Sequence, residues 1–340
     1  MADEALPDID LVPVRHLVEA PVDAVFALSP GDRALVEAGA SVVVGAPIAE
    51  RLRDPRLEDK IVAEPVEPRP GDRWHVIGRI VAPTTPGGPR GTPGGEYLFP
   101  WKSRWRVATG DIVDPLETPV AGIVREVRVG TSITIRAAGR GLRGIVAIGG
   151  PTRGRLSLAA GPDGGLRPGA LDVGMAGSIL VVDARVDAET LTRARAMGVR
   201  GIIVAGLASK ERRDFLASEA RQRAALHRLP PYAVLVMDGA TRRPMAGPIM
   251  ALLGALIGRE VAIVSDPPML IFNAPDLVLP TVGPDLVRIR AGALSGHEAH
   301  WVGAAGRRRF GGGVDLEAGR VRLTDGNTVA LPLGDLERFA

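Results

Sequence analysis

The chain has 340 residues, of which 46% are hydrophobic, and 42 basic residues against 39 acidic ones give it a net charge of +3. This length predicts two or three domains with apolar cores. The near balance of charge predicts that non-specific affinity for nucleic acid is modest and not dominant. The chain contains no cysteine, which excludes disulfides, thiolate metal sites and cysteine nucleophiles.

The first residues, Met1 to Pro7, are acidic and lack the basic and then apolar pattern of a signal peptide. The longest apolar helical pattern, Met245 to Ile257, is shorter than the roughly 20 residues that span a bilayer. We therefore expect a cytoplasmic protein without membrane insertion.

The first part of the chain has the pattern of a β-rich domain. Short apolar runs such as Ile9 to Val18 and Ala24 to Leu28 alternate with glycine and proline turns. Two segments echo each other, Val36 to Ala49 and Val107 to Gly130, each with glycines at short intervals. Such spacing predicts a sandwich of tight hairpins, which we assign to residues 1–165.

The second of these segments carries a family resemblance. Gly110-x-x-Val113, Thr118-Pro-Val-Ala-Gly-Ile-Val124 and Val129-Gly130 resemble the biotinyl/lipoyl-type barrel-sandwich hybrid. In that fold the modified lysine precedes the proline, where this chain has Leu116-Glu117-Thr118 and no lysine. The resemblance therefore implies a barrel-sandwich domain with a structural or docking role, and we predict no bound cofactor.

Two unusual stretches lie between the echoing segments. Residues 83–95 are so rich in glycine and proline that we predict a mobile loop. Residues 96–106 then interleave tyrosine, phenylalanine and tryptophan with lysine and arginine, a composition found both at protein interfaces and at base-stacking surfaces. Of these explanations and the packing of a β-sandwich edge against its own aromatic residues, we favour the last.

Residues 171–275 have the repeating pattern of a parallel α/β domain. Four continuous apolar runs start at Ser178, Gly201, Tyr232 and Glu260, and helical patterns follow the first three. Continuous apolar character indicates strands buried on both faces, as in parallel sheets covered by helices. Asp187 is placed to cap the first helix.

Within this block, Gly198 to Gly206 and Met237 to Ala246 resemble segments of an uncharacterised bacterial family. Its members join a barrel-sandwich N-terminal domain to this α/β block, and some carry an SH3-like tail. The resemblance implies a multidomain α+β protein and supplies no activity.

The tail, residues 283–340, has an all-β pattern that resembles a KOW-type SH3-like barrel, a module that binds RNA or protein. Within it, Arg307, Arg308 and Arg309 precede Phe310 and three glycines, so we predict that they lie at the tip of a β-hairpin. Three arginines neutralise only about three phosphates, and the tail is otherwise near charge balance, which favours a protein partner over RNA.

A candidate ligand site follows from the ends of the α/β strands. Asp183, Asp238 and Asp266 each end an apolar run, and Arg242 and Arg243 precede the third helix. Ligands of open α/β sheets bind at the carboxyl ends of strands, where carboxylates can hold Mg²⁺ and a helix N-terminus can hold phosphate. The alternative is that the aspartates cap turns, in which case replacing one with asparagine costs at most about 1 kcal/mol.

The histidines do not indicate a metal site. His297-Glu-Ala-His300 is one residue shorter than the His-Glu-x-x-His zinc motif, so solvated loop histidines explain it.

Three functions are compatible with these features, and no catalytic residue is predicted. We expect a non-enzymatic scaffold or binding protein whose tail recognises protein or, less favourably, RNA. The alternatives are an enzyme that acts on a phosphorylated ligand at the strand ends and an accessory subunit of an electron-transfer complex, the latter resting on the N-terminal resemblance alone.

Overall fold

A computed structural model describes residues 8–28, 32–51, 60–62, 73–75, 78–81, 96–101, 104–109, 114–159, 161, 163–225 and 230–340. Between residues 51 and 114 the description covers the backbone of the strands only. The predicted mobile loop, 83–95, lies outside the described residues. The described part is a β-rich mixed α+β structure with three α-helices.

The strands of the first half are short. Before residue 114 they are β1 Val14–Arg15, β2 Val22–Ala27, β3 Arg33–Ala34, β4 Ser41–Val42, β5 Pro47–Arg51, β6 Lys60–Val62, β7 Arg73–His75, β8 Gly78–Val81, β9 Glu96–Trp101 and β10 Arg104–Thr109. They continue as β11 Asp114–Glu117, β12 Gly122–Arg128, β13 Ser132–Ala137, β14 Arg140–Arg143, β15 Val146–Gly149 and β16 Thr152–Leu158.

All three α-helices lie in the second half. They alternate with strands in the order β17 Ser178–Arg185, α1 Ala188–Ala196, β18 Gly201–Gly206, α2 Ser209–Ala225, β19 Ala233–Gly239, α3 Gly247–Ala255, β20 Glu260–Ser265 and β21 Pro268–Phe272. The chain ends with β22 Leu286–Ile289, β23 Glu298–Arg309, β24 Asp315–Leu323, β25 Thr328–Pro332 and β26 Leu336–Phe339.

Two small sheets build an N-terminal β module. One has the order β2-β13-β12-β4 and the other β11-β5-β3. Alternate side chains of these strands, including Phe26, Ile48, Val124 and Ile135, are buried in one core. Each of the two sheets therefore has one buried face.

A separate sheet is inserted into this module between β5 and β11. These two strands pair, with Arg51 opposite Asp114, and the intervening chain contributes the five-stranded sheet β6-β10-β9-β8-β7. By the resemblance, residues 116–118 stand where carrier domains present their modified lysine on a hairpin turn. In this structure Leu116 and Glu117 lie within strand β11, and Thr118 is 1% exposed. The chain that connects the paired strands β5 and β11 is therefore the inserted segment and not residues 116–118.

The largest sheet has eight strands in the order β14-β21-β20-β16-β17-β18-β19-β15. Strands β16 to β19 are parallel, as the sequence predicts for β17, β18 and β19. Strand β20, predicted to be the fourth parallel strand, is antiparallel to β16 and forms a hairpin with β21. That part of the prediction is wrong, because a two-residue connection between β20 and β21 can join only antiparallel strands.

The boundary of this sheet also differs from the division made from the sequence. Strands β14, β15 and β16, which fall within the range 1–165 assigned to the first domain, belong to the eight-stranded sheet. The apolar runs of these three strands are short and bounded by glycine, as are those of the strands that precede them in the chain. Their sequences therefore do not show which sheet they join, and only their pairing partners do.

The eight-stranded sheet closes on itself. The backbone N–H of Gly144 donates to Pro268 in β21 at 2.9 Å, and the next N–H, of Ile145, donates to Val236 in β19 at 2.8 Å. One stretch of chain therefore bonds to both sides of the sheet. A Cβ at Gly144 would lie 2.9 Å from the Val236 carbonyl oxygen, so a larger residue would force the backbone apart at this closure.

Helix α3 covers the inner face of the closed sheet. Its residues Ile249, Leu252 and Leu253 are fully buried and share a core with strand residues such as Val181 and Ile263. On its other side, Ala251, Gly254 and Ala255 are exposed, so the helix buries one face only.

The outer face of the sheet is covered by α1, α2 and the N-terminal module. Leu180 and Val182 of β17 pack beneath α1 and α2, while Ala262 and Val264 of β20 pack against the N-terminal module. Burial on both faces explains the continuous apolar runs.

The predicted cap of α1 is confirmed, since Asp187 Oδ1 accepts a hydrogen bond from the Thr190 N–H at 2.7 Å.

The C-terminal residues form a six-stranded sheet, β1-β26-β22-β23-β24-β25, which we call the C-terminal β module. It includes β1 from the beginning of the chain, paired in parallel with β26. Leu17 and Phe339, which follow β1 and end β26, reach into the core around α3 and attach this module to the closed sheet.

Among the described residues, no helix is both long enough and apolar enough to cross a membrane.

Candidate functional site

Asp183 and Asp238 lie at the same end of the closed sheet. Val182 in β17 is the register partner of Val204 in β18, and Val204 is the register partner of Val236 in β19. Asp183 and Asp238 follow within two residues of these positions, so they lie at the same end of the sheet with one strand between them. Two strand spacings separate their backbones by about 10 Å. The expectation that both lie at the carboxyl ends of parallel strands is met.

Asp266 lies at the opposite end and does not join them. Glu260 is opposite Arg155, which is opposite Ser178, so β20 and β17 start at the same level and run in opposite directions. The path from Asp183 to Asp266 therefore covers eleven residue steps along the strands, roughly 35 Å. The predicted group of three carboxylates is not formed, because β20 is antiparallel.

Asp238 is buried and paired with arginines from two distant parts of the chain. Its side chain is 2% exposed. Arg15 of β1 donates to its Oδ1 at 2.9 Å, and Nη1 of Arg288 in β22 lies 3.0 Å from its Oδ2. We call Asp238, Arg15 and Arg288 the Asp238 cluster. It joins the carboxyl end of β19 in the closed sheet to two strands of the C-terminal β module.

The arginines of this cluster are further anchored to backbone carbonyls. Arg15 also donates to the carbonyl of Met237 at 3.0 Å, and Arg288, which is 1% exposed, donates to the carbonyl of Pro244 at 2.6 Å. The contact between Arg288 Nη1 and Asp238 Oδ2 is close but not aligned as a hydrogen bond. Opposite charges at 3.0 Å in a buried site attract each other regardless of alignment, so we treat the contact as an ion pair.

Asp183 bonds to the segment that leads into α3. Its Oδ1 accepts a hydrogen bond from the Met245 N–H at 2.7 Å. The first N–H of α3, that of Gly247, donates to Oε1 of Glu298 at 2.5 Å. Glu298 belongs to β23, so a carboxylate of the C-terminal β module occupies the helix end at which the sequence predicts an anion site.

Arg243 links the same two parts of the molecule. It donates to the Asp238 carbonyl at 2.8 Å from one side and to the Arg290 carbonyl and the Ser295 hydroxyl, both at 2.8 Å, from the other. Burial lowers the pKa of the Arg243 guanidinium from its ordinary value, and the Asp238 carboxylate opposes that shift. Arg242, the neighbouring residue in the prediction, is exposed.

Arg307, Arg308 and Arg309 lie far along the β23–β24 hairpin. They are the last three residues of β23, are exposed, and directly precede the loop 310–314. Their predicted place at the tip of a hairpin agrees with this geometry.

The two histidines of the shortened zinc motif bond separately. His300 Nδ1 lies 2.8 Å from Asp285 Oδ2, and His297 Nδ1 lies 3.0 Å from the Leu294 carbonyl. In the part of the chain that the structure describes, no group of three or more histidine, aspartate or glutamate side chains could hold a metal ion.

No protein family, curated protein or solved structure matches this chain.

Three residues that the sequence analysis missed are central to this region: Arg15, Arg288 and Glu298. For Arg288 a signal was present, since it interrupts the apolar residues of β22 as a charge in a buried strand, and a buried charge requires a partner. Arg15 and Glu298 carry no comparable signal, because their partners are remote in sequence.

Proposed function

We propose that this protein is a non-enzymatic scaffold or binding protein whose C-terminal β module recognises a protein partner. In this proposal the strand-end carboxylates of the closed sheet attach that module and do not bind a ligand. The observation that carries it is the pairing of Asp238 with Arg15 and Arg288, which come from two strands of the C-terminal β module.

The competing proposal requires those same groups to be available to a phosphorylated ligand. Two arginines neutralise the charge of Asp238, and one oxygen of Asp183 accepts the Met245 N–H. A phosphate at the N-terminus of α3 would have to displace Glu298. The enzyme hypothesis therefore needs the C-terminal β module to move away, whereas the scaffold hypothesis uses the contacts as they are.

Thermal unfolding with and without ligand separates these two functions. We expect neither Mg²⁺ nor inorganic phosphate to raise the melting temperature, because a ligand stabilises a protein only by binding its native state. Asp183→Asn should cost at most about 1 kcal/mol, because the asparagine Oδ1 can still accept the hydrogen bond from the Met245 N–H.

The matched control is Asp172→Asn, which removes a carboxylate that bonds the Gly174 N–H in an exposed turn of the same domain. A rise in melting temperature with Mg²⁺ or phosphate that Asp183→Asn abolishes and Asp172→Asn leaves intact would contradict the proposal and favour the enzyme.

A further inference from the structure

The longest hairpin of the C-terminal β module extends past its neighbouring strands. Strand β22 pairs with β23 only as far as His300, and β25 pairs with β24 only from Ala318 onward. Beyond these points β23 and β24 pair with each other alone, up to Arg309 opposite Asp315. We call residues 306–317 the ribbon tip.

The ribbon tip is exposed and chemically mixed. Every residue in it except Phe310 is exposed. It carries three arginines together with Val314, 53% exposed, and Leu316, 41% exposed. Arginine is enriched at protein interfaces, and the buried centre of an interface is more apolar than the rest of the surface.

Acidic residues of β24 partly balance the arginines. Arg307 is opposite Glu317, and Arg309 is opposite Asp315. Directly opposite side chains in antiparallel strands lie about 5 Å apart at Cβ, so each carboxylate weakens the positive potential of its neighbour. Three arginines and two acids leave the ribbon tip with a charge of +1, too small for tight binding to a phosphate backbone.

The ribbon does not offer a regular edge to a partner strand. The register shifts between Trp301 and Gly303 and again between Ala304 and Gly306. Such bulges twist an edge strand and hinder the addition of another strand. Recognition at this surface therefore depends on its side chains.

We infer that the ribbon tip binds an acidic protein surface that also presents aliphatic side chains. Arg308 and Leu316 are directly opposite each other and share one face of the ribbon, where they supply a charged and an apolar contact to the partner. Arg307 and Arg309, on the other face, and Val314, in the loop, extend the contact around the tip. This inference rests on the proposed function and specifies the chemistry of its partner.

The test uses the full chain and three labelled probes of equal length. They are a peptide that alternates glutamate with leucine, polyglutamate, and single-stranded RNA. By fluorescence anisotropy at physiological salt, we expect the mixed peptide to bind at least about tenfold more tightly than polyglutamate and RNA, because only it satisfies both the charged and the apolar contacts.

Two variants locate the binding surface. The charge reversal Arg307→Glu/Arg308→Glu/Arg309→Glu should weaken binding of the mixed peptide at least about tenfold. The control Arg212→Glu/Arg213→Glu/Arg221→Glu changes three exposed arginines of α2 by the same charge and should bind like the wild type. Leu316→Ser should reduce the preference for the mixed peptide over polyglutamate.

RNA binding that exceeds peptide binding, no binding of the mixed peptide, or equal loss in the two triple variants would each overturn the inference. These outcomes leave the role of Asp183 and the effect of Mg²⁺ to be judged separately by melting temperature, so failure here is distinguishable from failure of the scaffold proposal.

Discussion

Replacing Asp238 with alanine will lower the free energy of unfolding by about 3–5 kcal/mol, the range observed when one partner of a buried ion pair is removed. The substitution leaves the guanidinium group of Arg288, which is 1% exposed, without its counter-ion, and Arg15 loses the same partner. This effect is larger than that of an aspartate that only caps a turn. Denaturant unfolding, monitored by circular dichroism, measures it.

The control for this prediction is Asp276→Ala. Asp276 pairs bidentately with Arg259 at 2.7 and 2.9 Å, yet its side chain is 67% exposed. Exposed ion pairs contribute little because water solvates both charges, so we expect almost no change in stability. Equal effects of the two substitutions would show that the Asp238 cluster is no more important than a surface pair.

Replacing Leu252 with alanine will cost about 2–5 kcal/mol, because it opens a cavity between α3 and the closed sheet. Leu252 is fully buried against the strands of that sheet, which cannot move into the cavity without breaking their hydrogen bonds. Denaturant unfolding again provides the measurement.

The matched control is Leu216→Ala on α2, since Leu216 is 41% exposed. It should change stability by no more than about 0.5 kcal/mol. If Leu252→Ala were as mild as Leu216→Ala, α3 would not be packed tightly against the closed sheet.

The sequence predicts local features of this fold well. Asp187 caps α1 because its side chain needs only an N–H three residues away. The strands β17, β18 and β19 are recognisable because each is buried on both faces. These are properties of single segments, and a segment carries them in its own composition.

The direction of β20 shows where such reasoning fails. A strand whose two faces are both covered by other elements has a continuous apolar run whether it is parallel or antiparallel, so the composition of β20 does not reveal its direction. The connection does reveal it, since only Asp266 and Pro267 separate β20 from the apolar strand β21. A crossover to a parallel strand needs a dozen residues or more, and this signal was overlooked.

The Asp238 cluster could not be predicted from local pattern at all. Arg15 and Asp238 are 223 positions apart. Their pairing depends on β1 joining the C-terminal β module and on that module packing on the closed sheet. An aspartate at a strand end has the same local sequence whether it binds a metal, caps a turn or pairs with a remote arginine.

A double-mutant cycle between Asp238 and Arg288 tests most directly the claim that the strand-end carboxylates hold the C-terminal β module. We expect the double variant Asp238→Ala/Arg288→Ala to lose less unfolding free energy than the sum of the two single variants, by about 1–3 kcal/mol, because residues in contact are coupled. If the losses of the single variants add up to that of the double variant within about 0.5 kcal/mol, the two residues act independently, and the claim that this pair holds the module is contradicted.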